Sequence, residues 1–348
     1  EVESGPRLRI EAVTRSLVRR AEIQLGGWRR MLKDLAGQPD ADFVDWFSVE
    51  RMEGLEADVG MHRHHLDPTV PFVAAVAKPA HGVLVTSATL TDGTGDVLAD
   101  WSAAEARTGA RHLETPAVRA RVPSPFDYAA QTRVFIVTDV RRDNLGQVAG
   151  AYRALIEAAG GGTLGLFTAI QRLRAVHGRI AGPLEAAGLP LLAQHVDGMD
   201  VGTLIDIFRA EEDASLLGTD AVRDGVDVPG RSLRLIVFDR VPWPRPDILH
   251  KARKAAFGGA RWDDMLTRLK LKQAFGRLVR RADDSGVFVL LDSAMPSRLL
   301  GAFPEGVPIE RTGLADAVAK TREFLSLSPR GRGGTHAGGV GGVGALSA

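Results

Sequence analysis

Residues 215–230 read Ser215-Leu216-Leu217-Gly218-Thr219-Asp220-Ala221-Val222-Arg223-Asp224-Gly225-Val226-Asp227-Val228-Pro229-Gly230. A short apolar run ends at Gly218 and passes into a loop rich in Gly and Asp, closed by Pro-Gly. Backbone N–H groups and a hydroxyl at the carboxyl end of a strand can hold a phosphate. A carboxylate there can accept from a ribose hydroxyl. By itself the stretch reads better as an ordinary strand-to-helix loop built from turn residues.

Its surroundings decide the fold. Short β-branched or apolar runs recur at 83–86, 134–137, 163–167, 189–194, 215–218, 233–238 and 287–291. Helical patterns fall between most of them, at about 145–159, 169–181, 201–211, 247–257 and 262–282. Strand–helix alternation predicts an α/β fold with a mainly parallel sheet covered on both faces, its functional loops at the carboxyl ends of the strands. Residues 7–35 read as a helix weakened at Gly26-Gly27, where a kink or an end is expected. Residues 40–58 carry seven Asp/Glu against one Arg and read as a solvated face or linker. Residues 329–348 hold eight Gly in twenty and read as a disordered tail.

Composition narrows the chemistry. The 348 residues are 45% apolar and 25% charged with a net charge of +1, so binding to nucleic acid must come from local clustering. No cysteine is present, which excludes disulfides, thiolate catalysis and an iron–sulfur cluster held by these residues. No apolar run approaches the roughly 18 residues of a membrane span, and no membrane partner is expected. No secretory signal opens the chain, and a cytoplasmic location is expected. Residue 1 is Glu, consistent with a fragment or a processed product.

The second informative stretch is Leu271–Ala282, LKQAFGRLVRRA. On a continuous helix Gln273, Arg277 and Arg280 share one face, and Leu271, Phe275, Leu278 and Ala282 the opposite one. Two arginines on a packed helix suit a phosphoryl oxygen, because guanidinium is planar, always charged and binds bidentately. A solvated basic face is the competing reading. Residues 245–281 hold eleven Lys/Arg against three Asp/Glu, which fits a nucleotide or a nucleic acid.

Together these stretches resemble the superfamily 2 helicases of the DinG/XPD type, over roughly residues 60–325. Thr219-Asp220, followed by Gly225-Val226-Asp227-Val228-Pro229, is similar to motif V, and Gln273 with Gly276-Arg277 and Arg280 to motif VI. Thr86-Ser87-Ala88-Thr89-Leu90 resembles motif III, and Leu166-Phe167-Thr168 before a helix resembles motif IV. Asp239-Arg240-Val241-Pro242-Trp243-Pro244-Arg245-Pro246 resembles the family's proline-rich insert. The resemblance implies a RecA-like second motor domain that couples ATP hydrolysis to movement on single-stranded DNA, 5′→3′ by family analogy. It implies Arg277 and Arg280 at the ATP γ-phosphate, supported by Gln273. Asp227 would sit at the ribose beside Gly225 and the acidic Asp224, Thr168 and Thr219 on the DNA backbone, and Ser87, Ala88 and Thr89 in coupling. The family pattern has Trp-Glu-Gly where this chain has Arg223-Asp224-Gly225, which removes an aromatic contact at 223.

The phosphate loop G-x4-G-K-[ST] and the acidic Mg2+ box are absent from the sequence. ATP and Mg2+ would then be held mainly by an upstream first motor domain, in cis or in trans, and no ATPase is expected from this chain alone. The resulting division is 1–80, a mostly helical segment and linker from the end of the first motor or inserted domain; 81–125, the motif III strand and connection; 126–328, the second RecA-like domain; and the tail 329–348. A non-catalytic RecA-like module that binds DNA or protein is the alternative. A Rossmann-type enzyme explains neither the arginines nor the Ser-Ala-Thr segment. His62, His64, His65 and Asp67 are too compressed for a four-ligand zinc site, and no metal is expected there. His195 and His250 read as structural, and Gly160-Gly161-Gly162 as a turn.

Overall fold

The computed structural model describes residues 4–52, 54–225 and 227–327. The expected tail, 329–348, lies outside them. The chain divides into two compact units, the first made of residues 1–91, 96–119 and 244–265, the second of 92–95, 120–243 and 266–348.

In the first unit a helix runs from Ser4 to Leu35 without ending at Gly26-Gly27. The irregularity comes just before them, as a π-helical stretch over Arg19–Leu25. The expected acidic linker is instead a hairpin, β1 (Phe43–Met52) antiparallel to β2 (Leu55–His65), with Phe43 opposite His65. Aromatic and β-branched residues carry it. Arg63 gathers the carboxylates of Asp34 (2.6 Å) and Asp45 (3.0 Å) and lies 4.3 Å over the Phe43 ring. The acidic count therefore misled: Asp45, one of the charges it suggested was solvated, is internally neutralised. Val97–Thr108 forms a helix the periodicity did not suggest, capped by Asp96 at its start and by left-handed Gly109 (φ 80°) at its end. Residues 83–86 are not a strand. They follow no regular pattern, and Leu84 is 88% exposed, so no neighbouring strand covers this apolar run.

The second unit is an α/β domain built on one parallel sheet. Seven strands, β3 (Thr132–Val137), β4 (Thr163–Leu166), β5 (Leu191–Ala193), β6 (Ser215–Gly218), β7 (Leu235–Phe238), β8 (Gly286–Leu290) and β9 (Ile309–Thr312), lie in the order β5-β6-β4-β7-β8-β3-β9. Every pairing is parallel. Side chains alternate between two cores. Val134, Ile136, Ile236, Phe238, Phe288 and Leu290 face one, with Leu204 and Phe208 of the helix Val201–Ala210. Phe135, Val137, Leu235, Val237, Val287 and Val289 face the other, with the helices Leu145–Ala159 and Ile170–Ala186. This period of two, apolar on both faces, produces the continuous hydrophobic runs of the sequence. β9 went unforeseen because Ile309-Glu310-Arg311-Thr312 is a charged edge strand, paired on one side alone. Gly160, Gly161 and Gly162 all have positive φ and form the turn into β4.

Candidate functional site

The strands of the second unit end together on one edge of the sheet, and each end carries a polar group. At β6, Gly218 is required by packing, since a Cβ there would lie 2.5 Å from Val222. Thr219 follows, its N–H donating to Gln194 Oε1 (2.9 Å) and its hydroxyl to the same oxygen (3.0 Å). Gln194 stands at the end of neighbouring β5 and is buried. His195, next along, has a left-handed backbone (φ 67°), and its carbonyl accepts both Nε (3.2 Å) and an Nη (3.0 Å) of Arg174.

At β4, the Thr168 N–H donates to Asp239 Oδ1 (3.2 Å), and Arg172 Nε donates to Asp239 Oδ2 (2.5 Å). Asp239 closes β7 and is fully buried. Burial pushes its carboxyl above the usual range, against the pull of Arg172 and Arg240. At β8, Asp292 accepts from the N–H of Val241 (3.1 Å) and pairs with Arg142 (3.5 Å), tying the loop after β7 to the next strand end.

Asp220 opens the short helix Asp220–Gly225. Its carboxylate pairs with Arg223 (2.8 Å) and Lys270 (3.4 Å). The Arg223 side chain is 6% exposed, so position 223 braces the loop from inside. Asp227 carries an exposed carboxylate, and its carbonyl accepts from Arg209 (3.2 Å).

The stretch 271–282 departs from the expected helix. The helix Ala260–Phe275 stops one residue before Gly276. Gln273 sits on its last turn, while Arg277 and Arg280 lie beyond it. The N–H groups of Arg277 and Leu278 tighten to three-residue bonds with Ala274 and Phe275 (3.0 Å each). Asp284 Oδ2 then takes the N–H groups of Arg280 (2.9 Å) and Arg281 (2.8 Å), offering the backbone an alternative to helix. Leu271, Phe275 and Leu278 are buried as expected, whereas Ala282 is exposed. The turn places Arg280 Nε 3.3 Å from Asp227 Oδ1. Two expected nucleotide residues from stretches 53 positions apart thus meet (280 less 227).

In the first unit, Ser87 Oγ accepts from the Thr89 N–H (3.1 Å) and lies 3.1 Å from its hydroxyl; Ser87 and Ala88 are exposed. The histidines are engaged elsewhere. Trp46 stacks on His62 and His64, His62 bonds Ser48 (2.8 Å), and Asp67 holds Thr69 and Arg111. His250 pairs with Asp263 (2.8 Å). Among the described residues no group of three or more His, Cys, Asp or Glu is set to hold a metal ion.

Residues 152–308 match the family model of the helicase C-terminal domain. The "ATP-dependent helicase DinG" of Mycobacterium tuberculosis is 36% identical over 233 residues, covering 63% of this chain and 33% of that protein. Over these residues the chain is similar to the C-terminal part of DinG-type helicases. The "ATP-dependent DNA helicase YoaA" of Escherichia coli is 33% identical over 192 residues, 52% of this chain and 29% of that protein. The Bacillus subtilis relative is named "3'-5' exonuclease DinG" and is 27% identical over 268 residues, 73% of this chain and 28% of that protein. The chain thus spans about a third of the length of these curated relatives. Among solved structures an XPD helicase and S. tokodaii Xpd4 each align with a TM-score of 0.40, at 17% and 13% identity, over 52% and 78% of this chain and 35% and 62% of theirs. The matched residues, 152–308, contain β4 to β8 and every strand-end group described above except Arg142.

Proposed function

We propose that this chain supplies the second motor half of an ATP-dependent DNA helicase that moves on single-stranded DNA. One observation carries the reading: the Arg280–Asp227 pair at 3.3 Å, which joins the motif VI-like and motif V-like stretches at one place. Arg277 and Arg280 serve as the arginines that stabilise charge on the transferred phosphoryl group, with Gln273 beside them. Asp227, Gly225 and Asp224 face the nucleotide, Thr168 and Thr219 the DNA backbone, and Ser87–Thr89 the coupling between motor halves. In this division residues 126–328 are the second motor domain, 81–125 the motif III segment and connection, and 1–80 the close of the first motor or its inserted domain. The exposed apolar run 83–86 supports that division, since an uncovered apolar segment suits a sheet completed by other residues. ATP would be gripped from its other side by a first motor domain carrying the phosphate loop and the Mg2+ carboxylates.

The test is single-turnover ATP hydrolysis by the motor assembled from both halves, with and without oligothymidylate. Arg280→Ala is expected to slow the DNA-stimulated rate by about 10³ or more, the scale of a lost arginine finger, while nucleotide still binds. A rate within about twofold of wild type, with the variant folded, would sink the assignment. This chain alone is expected to turn over no ATP. Turnover by the purified chain, abolished by Arg280→Ala, would overturn the divided-site reading.

A further inference from the structure

The polarity of the hydrogen bonds at the end of β6 reassigns the contact to DNA. The Thr219 N–H only donates, so the Gln194 atom 2.9 Å from it is the amide oxygen. That oxygen only accepts, so the Thr219 hydroxyl, 3.0 Å away, gives it its single proton. Phosphate oxygens also only accept. Thr219 therefore has no proton left for a DNA phosphate. The Gln194 Nε2 group is fixed the other way round. Its two N–H groups point away from Thr219, and neither has an acceptor among the described residues. Gln194 is 4% exposed, and its Nε2, which has no protein acceptor, is not a sealed-off atom, so its two N–H groups stay open to a ligand.

The surroundings favour an anion. His195, held at φ 67°, turns the chain directly after Gln194, and its carbonyl anchors the Arg174 guanidinium. The nearby carboxylates are occupied. Asp197 Oδ2 accepts from the Ala193 N–H (2.8 Å), and Asp220 is paired with Arg223 and Lys270. A strained turn that fixes a neutral double donor beside a guanidinium is the kind of preorganisation a binding site maintains at a local cost.

We propose that Gln194 makes the phosphate contact to single-stranded DNA at this strand end, and that Thr219 is the residue that positions it. The inference rests on the helicase reading above and names a group that reading leaves out.

The experiment measures the affinity of this chain for a labelled oligothymidylate of about 20 nucleotides by fluorescence anisotropy, across a salt series. Gln194→Glu keeps the acceptor that Thr219 needs and replaces the donor by an anion. It is expected to weaken binding by about tenfold or more. Gln194→Ala is expected to lose about tenfold with an unchanged salt slope, because a neutral donor releases no counterion. Thr219→Val keeps the backbone bond to Gln194 and is expected to lose no more than about threefold. The reverse order, with Thr219→Val crippled and both Gln194 variants as tight as wild type, overturns the proposal and returns the contact to the hydroxyl. Failure of the wild-type chain to bind any single strand removes the helicase reading and this proposal with it. Thermal unfolding of each variant accompanies the titrations, and Gln194→Ala decides if Gln194→Glu does not fold.

Discussion

Arg172 and Asp239 form the most buried ion pair at the strand ends, with Asp239 fully buried and the Arg172 side chain 14% exposed. Removing one partner of such a pair strands a charge in a low-dielectric interior, which costs about 3–5 kcal/mol. Arg172→Ala is expected to lower the stability of the second unit by that order in urea unfolding. Adding Asp239→Asn should recover most of it, since Asn cannot ionise. An Arg172→Ala variant as stable as wild type would show the pair to be dispensable. None of this was legible in the sequence. Asp239 lies 71 residues from Thr168 and 67 from Arg172, and Gln194 lies 25 from Thr219. The motif residues Thr168, Thr219, Asp227 and Arg280 stood out because turn chemistry and spacing mark them. The residues that hold two of them in place are marked by nothing local, because only the sheet brings them near.

At the scale of elements, runs that are apolar on both faces of the sheet were readable, since a parallel strand needs no other signature. β9 and the hairpin were not, because charged residues on an edge strand and on an antiparallel pair resemble solvated loops. The helix through 271–282 was read too long for a related reason. Its apolar period continues to Leu278, but Asp284 offers the backbone N–H groups of Arg280 and Arg281 a closer acceptor. Asp284→Ala should therefore loosen the arginine turn, at about 1 kcal/mol of stability for the lost hydrogen bonds. Faster amide exchange at Arg280 and Arg281 is the readout, and unchanged exchange would count against it. In the first unit, Asp67 ties the loop after β2 to Arg111. Burial opposes its charge, but the hydroxyl and N–H of Thr69 and the Arg111 guanidinium outweigh it, and the carboxyl falls from 3.8 to about 2. A depressed carboxyl stabilises above its unfolded value and loses that contribution as pH falls. The wild-type unit should therefore lose about 2 kcal/mol as pH drops from 3.8 towards 2. In Asp67→Asn that loss should be missing and the neutral-pH stability already lower by a similar amount. Parallel pH–stability curves for the two proteins would exclude the effect.

For the molecule as a whole, the two units are joined by stretches of unlike character. Residues 116–124 have no regular structure, and Val118 is 99% exposed. Within the described residues, limited trypsin digestion is expected to cut first near Arg119 and Arg121, where the backbone has few bonds to protect it. A first cut within 132–238 would contradict the compactness of the second unit. The order of the strands has a further consequence, for how the chain comes into being. β3 is the first strand of its sheet to be synthesised, yet it hydrogen-bonds to β8 and β9, the last two. Val134, Phe135, Ile136 and Val137 must wait for nearly the whole domain to leave the ribosome before their final neighbours exist. Pairings this distant in sequence form slowly, and unpaired apolar strands aggregate while they wait. Nascent chains stalled before Gly286 should consequently be chaperone clients, and those extended beyond Thr312 should not.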